Sequence, residues 1–190
     1  MPGRSAAMAV PPTPLAAVTR GVLAGAAGTA AFDALLFWRY RRGGGAEPPL
    51  AWETSAGVQD WEQAPAPALV GKRLVEGLLQ LRLAPGRARL VNNVTHWAFG
   101  VLNGAGYGVV AGSLPRPRTS YGLLFGAAVW SGGYVVLPLA KLYKPIWKYD
   151  AMVLAGDLGA HLLYGATTAA AFGLLSRAGG SHRAQAPCPR

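Results

Sequence analysis

The chain has 190 residues, a net charge of +10 and 52% hydrophobic residues, yet only 14% are charged. An ordinary soluble domain carries about 25% charged residues. The apolar residues gather into four stretches of the length a bilayer requires, roughly 17–25 residues, which argues against a soluble globular class and predicts an all-α, four-helix transmembrane bundle.

In chain order, residues 1–16 are rich in Pro and Ala and are expected to be a disordered tail. The first apolar stretch covers about 21–38 and is followed by Arg39, Arg41 and Arg42. Arg20 abuts this stretch and Asp33 lies inside it, which reads against a cleaved signal peptide. The connection 43–90 opens with Gly43, Gly44, Gly45, Pro48 and Pro49. Further along it, Leu69, Val70, Leu74, Leu78 and Leu81 recur at helical spacing among Lys72, Arg73 and Arg82. That pattern predicts an amphipathic helix over about 66–82, lying in the membrane interface or packed on the protein. The second stretch is about 91–114, and a Pro-Arg-Pro-Arg turn follows it. The third is about 121–140, with Pro138 near its end. Tyr143, Trp147 and Tyr149, interleaved with lysines, read as an interfacial aromatic belt. Asp150 is placed to cap the fourth stretch, about 151–175. Residues 177–190 are expected to be a second disordered tail.

Four crossings put both longer connections, 43–90 and 141–150, at one end of the bundle, here side A. It carries eleven of the 18 Lys and Arg residues. The positive-inside bias therefore points side A toward the cytoplasm. Basic residues flanking apolar stretches meet lipid head groups, so the expected partner is the lipid bilayer, with no nucleic acid. The lone Cys188 excludes an internal disulfide and a cysteine zinc site.

The second and fourth stretches share a pattern. Asn92, His96, Phe99, Gly100, Gly104, Tyr107 and Gly108 match Asp157, His161, Tyr164, Gly165, Ala169, Phe172 and Gly173, each pair 65 residues apart. The first and third correspond through Gly21 to Ala27 and Gly122 to Ala128. The chain thus reads as two parallel helical-hairpin repeats. Within each helix the small residues step by four and form one ridge: Gly100, Gly104, Gly108 and Gly112 on one helix, Gly165 and Gly173 on another. Gly21 with Gly25, and Gly122 with Gly126, are the same device. Such ridges are packing surface where lipid offers no hydrophobic drive.

The side-A ends of these ridges are polar. Asp33, His96, Asp157 and His161 lie about 8–15 Å into the apolar stretches at 1.5 Å per residue, with Asn92 one turn nearer the end. Carboxylates at that depth are expected to pair with histidines rather than face lipid. The plainest role is structural, Asp–His hydrogen bonds that fix helix register. A proton or cation pathway of a small transporter, channel or stress-response protein is the alternative. Two His and two Asp also form a donor set for Zn²⁺ or Mn²⁺ in a membrane enzyme, but there is no HExxH or comparable motif. No P-loop, dinucleotide fingerprint or nucleophile elbow is present either, so no catalytic residue, cofactor or metal is assigned.

Helix one reads Gly-x-x-x-Gly-x-x-Gly-Thr-x-x-x-Asp from Gly21 to Asp33, helix two His96-Trp-Ala-Phe-Gly100, helix three Gly126-Ala-Ala-Val-Trp130, and helix four His161-Leu-Leu-Tyr-Gly165 after Asp157. Over about residues 18–176 this resembles small, uncharacterised bacterial inner-membrane proteins, the YagU-like group among them. The resemblance implies a multi-pass protein of the cytoplasmic (inner) membrane and no particular activity. The slimness of four helices leaves room for a homodimer.

Overall fold

The computed structural model describes residues 12–55, 60–62, 64–114 and 119–184. They form six α-helices and two short 3₁₀ turns, with no strand among the described residues. The α-helices are α1 (Pro14–Arg42), α2 (Pro49–Ser55), α3 (Ala66–Leu78), α4 (Ala88–Ser113), α5 (Tyr121–Leu139) and α6 (Ala151–Ala184).

Local chemistry sets the ends. Pro14 opens α1 at a position where its missing N–H costs nothing, and the Thr13 hydroxyl accepts from the Ala16 amide at 3.3 Å. The helix stops at Gly43, and Gly44 follows at φ +92°, a conformation that suits glycine. Arg39, Arg41 and Arg42 lie in the last turn, where cations complement the helix dipole. Asp150 caps α6 as its sequence position predicts: its Oδ1 accepts from the Met152 amide at 2.8 Å.

Some boundaries differ from the sequence expectation. Helix α1 begins at Pro14, inside the expected tail, and α6 runs on to Ala184 where a tail was expected from 177. Residues 1–11 and 185–190 lie outside the described residues. The short helix α2 has no counterpart in the sequence reading. Helix α3 ends at Leu78 rather than near 82, because Leu79 caps it and Gln80 turns to φ +56°.

Helices α1, α5 and α6 are long and apolar enough to cross a membrane. Helix α4 has the length, 26 residues, but Asn92, Asn93, His96 and Asn103 dilute its apolar content. The all-α class therefore stands with three membrane-length apolar helices, and a fourth crossing rests on how α4 packs.

Packing runs α4–α1–α6–α5. Helix α1 lies between α4 and α6, α6 also packs on α5, and α3 packs on α4. Gly25 of α1 sits so close to α4 that an added Cβ would fall 2.7 Å from the Gly100 carbonyl oxygen. Gly122 and Gly126 meet the backbone of α6 at Gly165 and His161 in the same way. The interior is small or polar: Ala24, Thr29, Thr168, Asp33 and Asn92 are buried, with Tyr107, Tyr164 and Phe172 as the only large rings among the described buried residues. The exterior is apolar: Leu102, Val110, Leu124, Val136, Leu163 and Leu174 all face outward.

Helices α4 and α5 are joined by the shortest connection between long helices, yet they scarcely pack on each other. An apolar groove of about 610 Å³ separates them, floored by Tyr107 and Phe125, whose ring centroids are 4.9 Å apart. Helix α3 lies across the side-A end, where the Arg73 guanidinium donates to the Ala140 carbonyl beyond α5. Its Gly71 packs on Val91 and Thr95 of α4, while Leu74 and Leu78 remain exposed.

Candidate functional site: two Asp–His pairs at one end of the bundle

Three helices supply the polar residues. Helix α1 brings Asp33, α4 brings Asn92 and His96, and α6 brings Asp157 and His161. All lie toward side A, as expected, but they do not converge into one cluster. His96 Nε2 lies 2.9 Å from Asp33 Oδ1, a bond from helix to helix. His161 Nδ1 lies 2.9 Å from the Asp157 carbonyl oxygen and 3.4 Å from Asp157 Oδ1, all within α6. A carbonyl can only accept, so Nδ1 carries the proton. Phe32 stands between the two pairs, its ring 5.6 Å from the His96 ring and 5.1 Å from that of His161.

The asymmetry follows from helix register. Gly25 faces Gly100 and Gly104, and Gly122 faces the matching pair Gly165 and Ala169. The packing equivalent of Gly122 is therefore Gly25, not Gly21, and the sequence alignment of the first and third helices slips by one turn. Its cause is the Gly/Ala spacing of four, which matches itself equally well one turn along. In the corrected register the counterpart of Asp33 is Trp130, which offers no acceptor. His161 thus turns back to its own helix, where His96 reaches across.

Asp157 has aromatic surroundings instead. Trp130 and Tyr134 lie beside its carboxylate, and Tyr134, Tyr143 and Tyr149 stack with centroids 5.4–6.0 Å apart. In the connection after α5, burial first and the Asp157 charge second push the Tyr143 hydroxyl up to about 12. Asn103 donates to the Phe99 carbonyl of its own helix at 2.9 Å and lines the α4–α5 groove.

The glycines expected to pack do so, with one exception. Gly21, Gly25, Gly100, Gly104 and Gly108 form the α1–α4 seam, and Gly112 meets Ala17. Gly122, Gly126 and Gly165 form the α5–α6 seam. Gly173 is the exception: nothing lies within 4 Å of its added Cβ, because α5 begins one turn too late to reach it. These ridges are consumed within the chain, so they are not free to join a second copy.

Sequence reasoning missed several partners. Gly28 packs on Tyr164 and Thr168, a contact its spacing of three from Gly25 places on the neighbouring face of α1. The Tyr164 hydroxyl donates to the Gly100 carbonyl at 2.6 Å and ties α6 to α4. Arg39 Nη1 donates to the Gly156 carbonyl at 3.0 Å. Helix α2 docks through Glu53, which accepts from Trp97 Nε1 at 2.9 Å, while its carbonyl accepts from the Asn93 amide. No sequence signal marks these long-range pairs. Among the described residues, no three His, Cys, Asp or Glu side chains gather closely enough to hold a metal ion.

Compared with protein-family models, curated proteins and solved structures, the chain matches none of them.

Proposed function

We propose that this chain is a four-helix integral protein of the bacterial inner membrane, akin to the YagU-like group, and that its role there is structural. The observation that carries the reading is the inverted distribution of polarity. Large aliphatic side chains cover the outside, while the inside holds Gly, Ala, Thr, Asp and Asn around the rings of Tyr107, Tyr164 and Phe172. Water would penalise that arrangement, whereas lipid favours it. Helix α4 shares it: Leu102, Val109 and Val110 face outward, and Gly100, Gly104 and Gly108 face α1. On this reading α4 is the fourth crossing and α3 lies at the side-A interface with Leu74 and Leu78 toward lipid.

A scaffold fits the interior better than a conduit. Beyond the Asp33–His96 pair, the middle of the bundle is filled by Thr29, Thr168, Tyr164 and Phe172, each at most 4% exposed. The two threonine hydroxyls are taken up by carbonyls of their own helices at 2.9 and 2.8 Å. No continuous polar lining remains among the described residues in that half.

Topology is tested by single cysteines at Gly45, Thr119 and Lys144 in a Cys188→Ser background, labelled with an impermeant maleimide on right-side-out and inverted vesicles. Gly45 and Lys144 are expected to label from one side and Thr119 from the other. Labelling of Gly45 and Thr119 from the same side would show that α4 does not cross. The scaffold role fails if proteoliposomes show an ion flux that Asp157→Asn abolishes.

A further inference from the structure

Two buried oxygens on facing helices have no donor. Asp33 is 9% exposed and Asn92 8%. Asp33 Oδ1 is met by His96, but Oδ2 has no partner, and neither has Asn92 Oδ1.

The orientation of the Asn92 amide is dictated from outside. The Glu53 carbonyl can only accept, so Asn93 must turn its Nδ2 toward it. That leaves Asn93 Oδ1 to accept from Asn92 Nδ2 at 3.2 Å. Asn92 must then present Oδ1, and a flip of either amide would set two acceptors face to face. The α1–α4 register brings the other oxygen to the same level. Gly21 lies against Gly104 and Gly108, and Gly25 against Gly100 and Gly104. Following the antiparallel helices toward side A, Asp33 comes level with the turn that carries Asn92 and His96. His96 takes one carboxylate oxygen, and the α4 turn at the level of the other carries the Asn92 amide, whose oxygen is likewise unpartnered.

Buried acceptors are almost always satisfied, and a pair of them, one on a carboxylate, calls for a positive guest. Oxygen donors select hard cations over soft ones. A single carboxylate, with no third acidic or histidine group close by, balances one charge and not two. We infer that Asp33 Oδ2 and Asn92 Oδ1 are the protein side of a binding site for a monovalent alkali cation such as sodium. Water completes the shell from side A, where the His96 side chain is 27% exposed. Asn93 and Glu53 act as positioning residues that hold the Asn92 oxygen inward. The site deepens the proposed structural reading: the cation ties α1 to α4 beside the Asp33–His96 bond.

The test is thermal unfolding of the full chain in nanodiscs at pH 8 and again at pH 6, in sodium, lithium, potassium or choline chloride at constant ionic strength. A ligand that binds only the native state raises Tm, by roughly 5–10 °C at a hundred times its Kd for a chain of this size. The expected result is a saturable rise in sodium over choline that Asn92→Leu abolishes and His161→Ala retains. Should Asn92→Leu fail to fold, Asn92→Ser serves, with the sodium midpoint moved to higher concentration. Equal Tm in sodium and choline overturns the site. So does a rise that survives in Asn92→Leu, which would be ionic screening elsewhere, or a Tm that follows pH and ignores the cation, which would put a proton there. A sodium shift in a chain whose α4 does not cross would refute the membrane reading and leave the site standing.

Discussion

The α1–α4 seam makes a sharp prediction because the same substitution has opposite consequences at two points on one helix. An alanine at Gly104 would place its Cβ 2.6 Å from the Gly21 carbonyl oxygen and 2.7 Å from the Gly25 amide nitrogen. Ordinary carbon contacts settle near 3.5–4.0 Å, so the helices must part by about 1 Å. The obstacle is backbone on both sides and no rotamer relieves it. Overpacking of this kind costs about 1–3 kcal/mol. At Gly106, two residues on, nothing lies within 4 Å of the added carbon. There alanine brings only its helix propensity, a gain of up to about 1 kcal/mol. Unfolding in mixed micelles by titration with dodecyl sulfate, followed by circular dichroism, should separate Gly104→Ala from Gly106→Ala by about 1–4 kcal/mol. Equal stability of the two variants would show that α1 and α4 do not touch as described.

The two histidines should differ as well. His96→Ala strips Asp33 Oδ1 of its donor and should cost about 1–3 kcal/mol. His161→Ala leaves the Asp157 carbonyl in its helical bond and should cost clearly less by the same titration; an equal or larger loss would contradict the assignment of the cross-helix bond to His96 and not to His161. Tyr164→Phe removes the 2.6 Å bond to Gly100 and should lower stability by about 1 kcal/mol without loss of helicity, whereas an unchanged midpoint would place the hydroxyl elsewhere. On α3, the hydrogen bond from Lys72 and then the Leu83 amide hold the Glu76 carboxyl below its ordinary value. A lowered folded value contributes stability at higher pH that is lost as pH falls through it. The protection of the Leu83 amide against hydrogen exchange, relative to its intrinsic rate, should therefore fall as pH drops through that lowered value, and Glu76→Gln should remove that pH dependence.

Much of the architecture was legible in the sequence because its signals are local. Apolar length marked the helices, Asp150 marked the start of α6, and the spacing of four marked the seams that Gly25, Gly100, Gly122 and Gly165 form. The depth of Asp33 and His96 foretold a pairing. What could not be read was register between helices. A ridge of evenly spaced small residues fits its partner in several positions one turn apart, and only the larger neighbours choose. That ambiguity hid Trp130 as the counterpart of Asp33, and with it the reason His161 bonds within its own helix. Helix α2 was hidden for another reason. Its docking rests on Glu53 meeting Trp97 and Asn93, contacts between residues forty or so positions apart that leave no periodic trace.

The gap between α4 and α5 gives the bundle uneven stiffness. Three seams are closed by backbone contact, whereas the fourth is held by the Tyr107–Phe125 ring contact, by the covalent connection between Ser113 and Tyr121 and by α3 through Arg73. A seam held by side chains has no backbone contact to fix its spacing, unlike the glycine seams beside it. On the proposed four-crossing reading, acyl chains press sideways on this groove, and its width, unlike that of the glycine seams, is the dimension open to the thickness and packing of the surrounding lipid.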